Sequence, residues 1–502
     1  MKNLLLVFVL LFPFFSIAQN TPFYEVHEVD SVAIPRGGYS YLTTFINVNL
    51  QIPYMAKVAK VNGYVSLTGV VNEQGKISNI EVIKGIRPDC DKEAVRVFGL
   101  FNAWQAALKG GQKVGQKIFY RILFKSNENI IFKDGMRLEY FNDKYLPTSD
   151  SSTYQYVQKT QIDTLTGSSI NNINFFEIKR KNKEIPLSSF VRKKSEEFEY
   201  SLNYPDLLSD STLKLYSINY YTLDDKIVGY SMDFFTDGTL YRKQFYIDGN
   251  PTYPEIKYYK NGVVRELTEN INKEKRSYKT TNWYPNGQIL SVIQYEQQLS
   301  KASGKNAMGY MIPVPLVINE WDESGNQMVK NGEGEELRMK YGDKFSIITQ
   351  KGKILNFQKE GVWLEIKEDG TIANKEMYKD GNFVKGVSYL VTGDSTVYNL
   401  KEEQPEFKGG MQGFGNFLTN NLRYPSDAQN SNSQGKVYVQ FVVCTDGTLC
   451  DYKVLKSAGH LSLDKEAVRV LQKSSGQWKP GIQRGNKVRA RFTIPINFAL
   501  SR

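Results

Sequence analysis

Gly435-Lys436-Val437-Tyr438-Val439-Gln440-Phe441-Val442-Val443, followed by Cys444-Thr445-Asp446-Gly447, is the stretch whose reading decides the fold. Val437, Val439, Phe441 and Val443 alternate with Lys436, Tyr438, Gln440 and Val442, the period of a half-buried strand. Asp446-Gly447 then predicts a hairpin, since glycine tolerates the positive φ such a turn needs. Leu449 to Leu455 is the returning strand. Upstream, Gln412 to Leu422 places Phe414, Phe417, Leu418 and Leu422 on one helical face, and Tyr424-Pro425 ends or redirects that helix. Downstream, Ser462 is the expected N-cap of a second helix, with Asp464 in its first turn and Leu463, Ala467, Val470 and Leu471 as its apolar stripe. Trp478-Lys479-Pro480-Gly481 stops that helix. Lys487 to Phe498 is the last strand, placed at an edge by Pro495, which has no N–H to give to a ladder.

The same grammar recurs near the other end of the chain. Gly37-Gly38, Pro53, Gly63 and Gly75 match Gly409-Gly410, Pro425, Gly435 and Gly447 at one constant offset. One inserted residue later, Asp91-Lys92-Glu93-Ala94-Val95-Arg96-Val97 returns unchanged as Asp464-Lys465-Glu466-Ala467-Val468-Arg469-Val470. After one more, Trp104, Gly111 and Lys113-Val114 match Trp478, Gly485 and Lys487-Val488. The chain carries two copies of one module.

With these residues in view, the region 405–502 resembles a TonB C-terminal domain of the Bacteroidetes type. The resemblance rests on Pro405-Glu406-Phe407-Lys408-Gly409-Gly410, Phe417-Leu418, Asn421-Leu422-Arg423-Tyr424-Pro425, Gly435 to Val443, Asp446-Gly447, Asp464, Ala467-Val468, Trp478-Lys479-Pro480-Gly481 and Gly485. It implies a three-stranded antiparallel sheet packed on two helices, with the last strand open. It also implies the partner: an extended peptide, such as the TonB box of an outer-membrane TonB-dependent receptor, added to that edge by its backbone. Lys487, Val488, Arg489, Ala490, Arg491, Phe492, Thr493 and Ile494 are the expected partner-binding residues, with Arg489 and Arg491 able to meet acidic flanks. Tyr424, Pro425, Gly435, Asp446, Gly447, Trp478 and Pro480 are the structural motif. The first copy, 35–125, departs from the pattern at Ile52-Pro53, at Trp104-Gln105-Ala106 and at Arg121, which puts its own partner binding in doubt.

Between the copies, Phe235-Thr236-Asp237-Gly238, Tyr259-Lys260-Asn261-Gly262, Tyr284-Pro285-Asn286-Gly287, Trp321-Asp322-Glu323-Ser324-Gly325 and Lys367-Glu368-Asp369-Gly370 share a turn ending in glycine. The first of these recur at roughly 25-residue intervals, one hairpin per repeat. They resemble MORN-type antitoxin repeats, which implies an elongated sheet in which neighbours must stack to bury a core. The expected fold class is therefore α+β: two TonB C-terminal-like domains flanking an elongated antiparallel β-repeat region. The expected layout is a signal peptide at 1–18, the first copy at 35–125, a β-rich lead-in at 127–230, repeats at 231–390 and the second copy at 405–502.

Composition bounds the rest. A chain of 502 residues is too long for one ordinary core, and an aromatic content of 13% suits many strands. The net charge of +11 comes from scattered residues, with no recognition helix or RNP-like strand, so nucleic acid is not expected as a partner. The dense run Lys179-Arg180-Lys181-Asn182-Lys183 reads as a solvated face. Lys2 precedes an apolar run ending in Ser16-Ile17-Ala18, which predicts cleavage after Ala18 and a periplasmic location. The run falls short of the about 20 apolar residues of a bilayer span. No His, Cys or acidic cluster has metal-ligand or nucleophile spacing, so no enzyme, metal or cofactor is expected. Ser462-Leu463-Asp464-Lys465 matches a Ser-x-x-Lys pattern, but so does Ser211-Thr212-Leu213-Lys214, and capping is the simpler reading. Cys444 and Cys450 would point to one face of the hairpin, their pairing depending on its register. Two alternatives to a peptide-binding periplasmic protein stay open: a membrane-anchored transducer coupling the proton gradient to transport, and a structural envelope protein bound to peptidoglycan.

Overall fold

A computed structural model describes residues 23–126, 130–143, 148–164, 167, 169–180, 183–201, 212–222, 224–272, 274–299, 311–341, 347–390 and 392–500. The expected signal peptide lies outside the described residues. The chain is mostly strand with few helices, and it divides into two compact units that part at Lys330 and Asn331.

The first unit opens with the first copy. Strand β1 (Phe23–Tyr24) precedes helix α1 (Tyr39–Asn49), a short helix (Tyr54–Val58), β2 (Asn62–Val71), β3 (Ile77–Lys84), helix α2 (Pro88–Gly99) and β4 (Gln112–Lys125). The strands lie in the order β1, β4, β2, β3. Leu42, Phe45, Val65, Leu67, Ala94, Val97, Phe98, Trp104, Ile122 and Phe124 are buried between helices and sheet. Burying a side chain of this size is worth about 1.5–3 kcal/mol.

Beyond it runs a long antiparallel meander, from Ile131–Lys133 to Gln327–Lys330. Its glycine-ended motifs form one kind of turn. The first residue donates to a carbonyl four positions on, while its own carbonyl accepts from the glycine: Tyr259 and Tyr284 do so with Val263 and Gln288, and with Gly262 and Gly287. In these two turns the Asn before the glycine is the cap, Asn261 Oδ1 accepting from the Val263 amide and Asn286 Oδ1 from the Gln288 amide. Gly287 sits at φ +86°, and a Cβ there would lie 2.9 Å from the Phe45 ring. Only glycine satisfies both conditions. Neighbouring turns are stitched together, since Tyr259 Oη donates to the Trp283 carbonyl at 2.7 Å and Asn261 Nδ2 to that of Pro285 at 2.8 Å.

These turns carry the first copy. Val264 N–H donates to Asn49 Oδ1 at 2.8 Å, Asn102 N–H donates to the Asn286 carbonyl at 2.8 Å, and Arg36 Nη1 donates to that of Glu323 at 3.0 Å. Tyr41 meets Trp321 edge to face at 4.7 Å. Tyr258, Val263, Val264, Trp283, Ile289 and Trp321 thereby join the core of the first copy.

The second unit begins with its own antiparallel meander, from Glu333–Tyr341 to Ser395–Tyr398, and ends with the second copy. That copy comprises helix α3 (Gly410–Asn421), a short helix (Ser426–Asn430), β5 (Gly435–Val443), β6 (Leu449–Lys456), helix α4 (Leu461–Lys473) and β7 (Ala490–Phe498). Its sheet order is β6, β5, β7. Phe407, Phe414, Val437, Val439, Phe441, Leu463, Ala467, Leu471, Trp478, Ile494, Ile496 and Phe498 make its core.

Two local expectations are corrected. The N-cap of α4 is His460, not Ser462. His460 holds the extended backbone of a cap, and its carbonyl accepts the Leu463 amide; Ser462 lies inside the helix with its hydroxyl 2.7 Å from His460 Nδ1. The last strand is also not continuous. Asn486–Val488 turns back onto Gly481–Gln483 through Arg484-Gly485, both at positive φ, the geometry of a two-residue hairpin. Pro495 lies in the edge strand β7.

Candidate functional site

The candidate site is the outer edge of β7. Its inner edge is fully laddered to β5, from Ala490 opposite Val443 to Phe498 opposite Gly435. Among the described residues nothing pairs with the other side of β7. Its side chains alternate: Phe492, Ile494, Ile496 and Phe498 face the helices, while Arg491, Thr493, Pro495 and Asn497 are exposed. An edge of this kind offers unpaired N–H and C=O groups beside a row of outward side chains.

The eight residues expected to bind a partner do not share one ladder. Ala490, Arg491, Phe492, Thr493 and Ile494 lie on β7. Lys487 and Val488 lie on the preceding hairpin, opposite Ile482 and Gly481. That hairpin's far strand is covered in turn by Glu402–Glu403. Arg489 links the two segments, and its guanidinium donates to Asp451 Oδ2 at 3.0 Å and to Cys450 Sγ at 3.3 Å. Arg491 is exposed and has no ion-pair partner among the described residues.

The first copy presents the equivalent edge in a different state. There β1 pairs parallel with β4, Phe23 opposite Gly115 and Tyr24 opposite Gln116, on the side away from β2. Lys109 Nζ sits 3.9 Å from the centre of the Tyr24 ring, and Glu25 lies 3.7 Å from Lys117. In the duplicated register, Gly115, Gln116 and Lys117 correspond to Arg489, Ala490 and Arg491. The chain thus adds a strand of its own at the positions that stay open in the second copy.

The duplicated heptapeptide holds each sheet's helices together. In α4, Arg469 grips Glu466 by two bonds of 2.6 and 2.7 Å and donates to the Asn421 carbonyl at the end of α3 at 2.8 Å. Glu466 also accepts the Arg423 amide at 2.7 Å. In α2, Arg96 and Glu93 repeat this clasp with the Asn49 carbonyl and the Gln51 amide. Burial alone would raise the Glu466 carboxyl, but the Arg469 fork and the Arg423 amide outweigh it and hold it below the ordinary carboxylate value. The sequence carries one signal of this clasp: a packed helix needs only its apolar positions, yet the polar ones repeat as well.

A second ionic cluster anchors the second copy to the meander of its unit. Arg484 donates to Glu365 at 2.6 and 2.8 Å and meets Glu376 at 3.2 Å. Lys401 reaches Glu376 at 2.7 Å, and the Tyr378 and Tyr398 hydroxyls donate to it at 2.7 and 2.8 Å. Burial works against both charges, but Glu376 ends below its ordinary value because Lys401, Tyr378 and Arg484 all favour its ionised form.

No helix among the described residues is long and apolar enough to cross a membrane. Among them, too, no three His, Cys, Asp or Glu side chains gather where a metal ion could be held.

Helices packed on a core of three antiparallel strands, present twice and extended by β1 in the first copy, define a small strand-edge domain. Both copies are TonB C-terminal domains: the model of the Gram-negative bacterial TonB protein C-terminal family matches residues 48–126 and 420–500. The chain is 38% identical over 79 residues to Protein TonB of Haemophilus influenzae, a match covering 15% of this chain and 29% of that protein. It therefore spans less than a third of that relative's length. Two NMR solution structures of the Helicobacter pylori TonB-CTD match at 26% identity, covering 18% of this chain and 81% and 95% of theirs, each with a TM-score of 0.16.

Proposed function

We propose that this chain is a periplasmic protein-interaction module of TonB-dependent transport, in which β7 takes up an extended peptide, such as the TonB box of an outer-membrane receptor, by strand addition. The observation that carries this reading is the strand that the first copy already holds. Phe23–Tyr24 lies along β4 in parallel, at positions equivalent to Arg489–Ala490, so the same fold accepts a backbone there. The likeness to Protein TonB supports the choice of partner.

Arg489, Ala490, Arg491, Phe492, Thr493 and Ile494 form the proposed contact, with Lys487 and Val488 flanking it from their hairpin. Arg491 stands where Lys117 meets Glu25 in the first copy, which supports a preference for an acidic residue just after the paired segment. The layout proposed for the chain is a signal peptide at 1–18, domains at 35–125 and 405–502, and between them a β-rich lead-in and MORN-type repeats acting as a spacer.

Hydrogen exchange of the full mature chain with a TonB-box peptide tests this directly. Slower exchange over 489–494 is the expected result, and unchanged exchange there at saturating peptide would sink the reading. Arg491→Glu is expected to weaken binding about tenfold, about 1.4 kcal/mol. Sequencing the mature N-terminus separates this protein from an anchored transducer, with Gln19 expected first.

A further inference from the structure

The hairpin joining β5 to β6 carries two thiols that the peptide-binding reading does not use. Cys444 opens the turn, donating its amide to the Thr448 carbonyl and accepting from Gly447; Cys450 lies on β6 opposite Val442. Their Sγ atoms are 2.9 Å apart and both side chains are partly exposed. A disulfide has an S–S distance of about 2.0 Å, so closing it takes a sub-ångström approach on one face of a hairpin already registered.

Neither cysteine is required by the fold. At the equivalent positions the first copy has Asn72 and Ser78. Asn72 Oδ1 caps its turn by accepting from the Gln74 and Lys76 amides, whereas in the second copy Asp446 does so for Thr448. Cys444 is thus released from capping, and neither it nor Cys450 belongs to the buried core. The third cysteine differs in kind: Cys90 is buried in α2, and burial, together with Asp89, pushes its thiol up to about 12.

We propose that Cys444 and Cys450 form an intramolecular disulfide by exchange with a disulfide-bearing oxidant. One thiolate attacks a sulfur of the oxidant, breaking its S–S bond and forming a mixed disulfide. The second thiolate then attacks the protein sulfur of that mixed bond and expels the oxidant's remaining thiolate. The two cysteines lose two electrons to the oxidant, and the two protons they release are taken up by its two departing thiolates, which leave as thiols. Cys90 takes no part.

The test uses the full mature chain, first reduced and then equilibrated with oxidised glutathione. Thiol titration in denaturant is expected to fall from three groups to one, with a loss of mass equal to two hydrogen atoms. Digestion should yield one linked pair containing Cys444 and Cys450. Cys444→Ser and Cys450→Ser should each instead retain one glutathione on the remaining partner. Three thiols persisting in the equilibrated wild type, or a linkage that includes Cys90, would overturn the proposal. The wild-type peptide map decides even if a variant fails to fold, and neither outcome bears on peptide binding at β7.

Discussion

At the scale of single residues, the Glu–Arg clasp is what makes each copy one body. Glu466 joins three chain segments: its own helix through Arg469, the last carbonyl of α3 through that arginine, and the amide of Arg423. Glu466→Gln keeps the shape but removes the charge from two bonds to Arg469. A loss of about 1.5–3 kcal/mol in denaturant unfolding of the second copy is the expected outcome, since hydrogen bonds to charged groups are worth that much. Glu93→Gln should act likewise on the first copy, where Arg96 and Gln51 replace Arg469 and Arg423.

At the scale of elements, the strands and helices with strong periodicity were legible in the sequence. Gly435 to Val443 alternates cleanly because one face of β5 meets helices and the other does not. The glycine-ended turns were legible because each needs both a positive φ and a capping Asn or Asp. The hairpin at 481–488 is hidden in the sequence, since Arg484 gives no hint of a left-handed backbone, although Gly110-Gly111 in the first copy carries that signal. Phe23–Tyr24 was illegible for a different reason. A two-residue strand has no period, and its pairing with Gly115 and Gln116 is specified only by the surface it lands on. Deleting residues 19–25 from the mature chain should leave the first copy folded, because its core lies elsewhere. Amides around 115–117 should then exchange faster in a hydrogen-exchange experiment, and unchanged protection would mean that β1 contributes nothing to that edge.

At the scale of the whole molecule, each unit seats one TonB C-terminal domain on a β-meander, but by different chemistry. The first uses Phe45, Trp283, Trp321 and their apolar neighbours. The second uses Arg484 and Lys401 against Glu365 and Glu376. Because Glu376 is held below its ordinary value, its contribution is complete above the unfolded value, about pH 4.3 for Glu, and is lost as pH falls through the folded value. Pulse-labelled exchange after acidification should therefore show 396–401 and 484–486 opening before 45–49 and 284–289. Arg484→Met should mimic the acid state at neutral pH. It breaks the buried Arg484–Glu365 pair, at a cost of about 3–5 kcal/mol, while Glu376 keeps Lys401 and its two tyrosine hydroxyls.

The narrow cover that Glu402–Glu403 lays over Gly481–Gln483 bears on how the second domain should be excised for study. A fragment begun at Pro405 discards that cover and uncovers a backbone rim that is sheltered in the intact polypeptide. A peptide could dock on this artificial rim and be mistaken for a genuine ligand, so a fragment used for binding work should start upstream of Lys401.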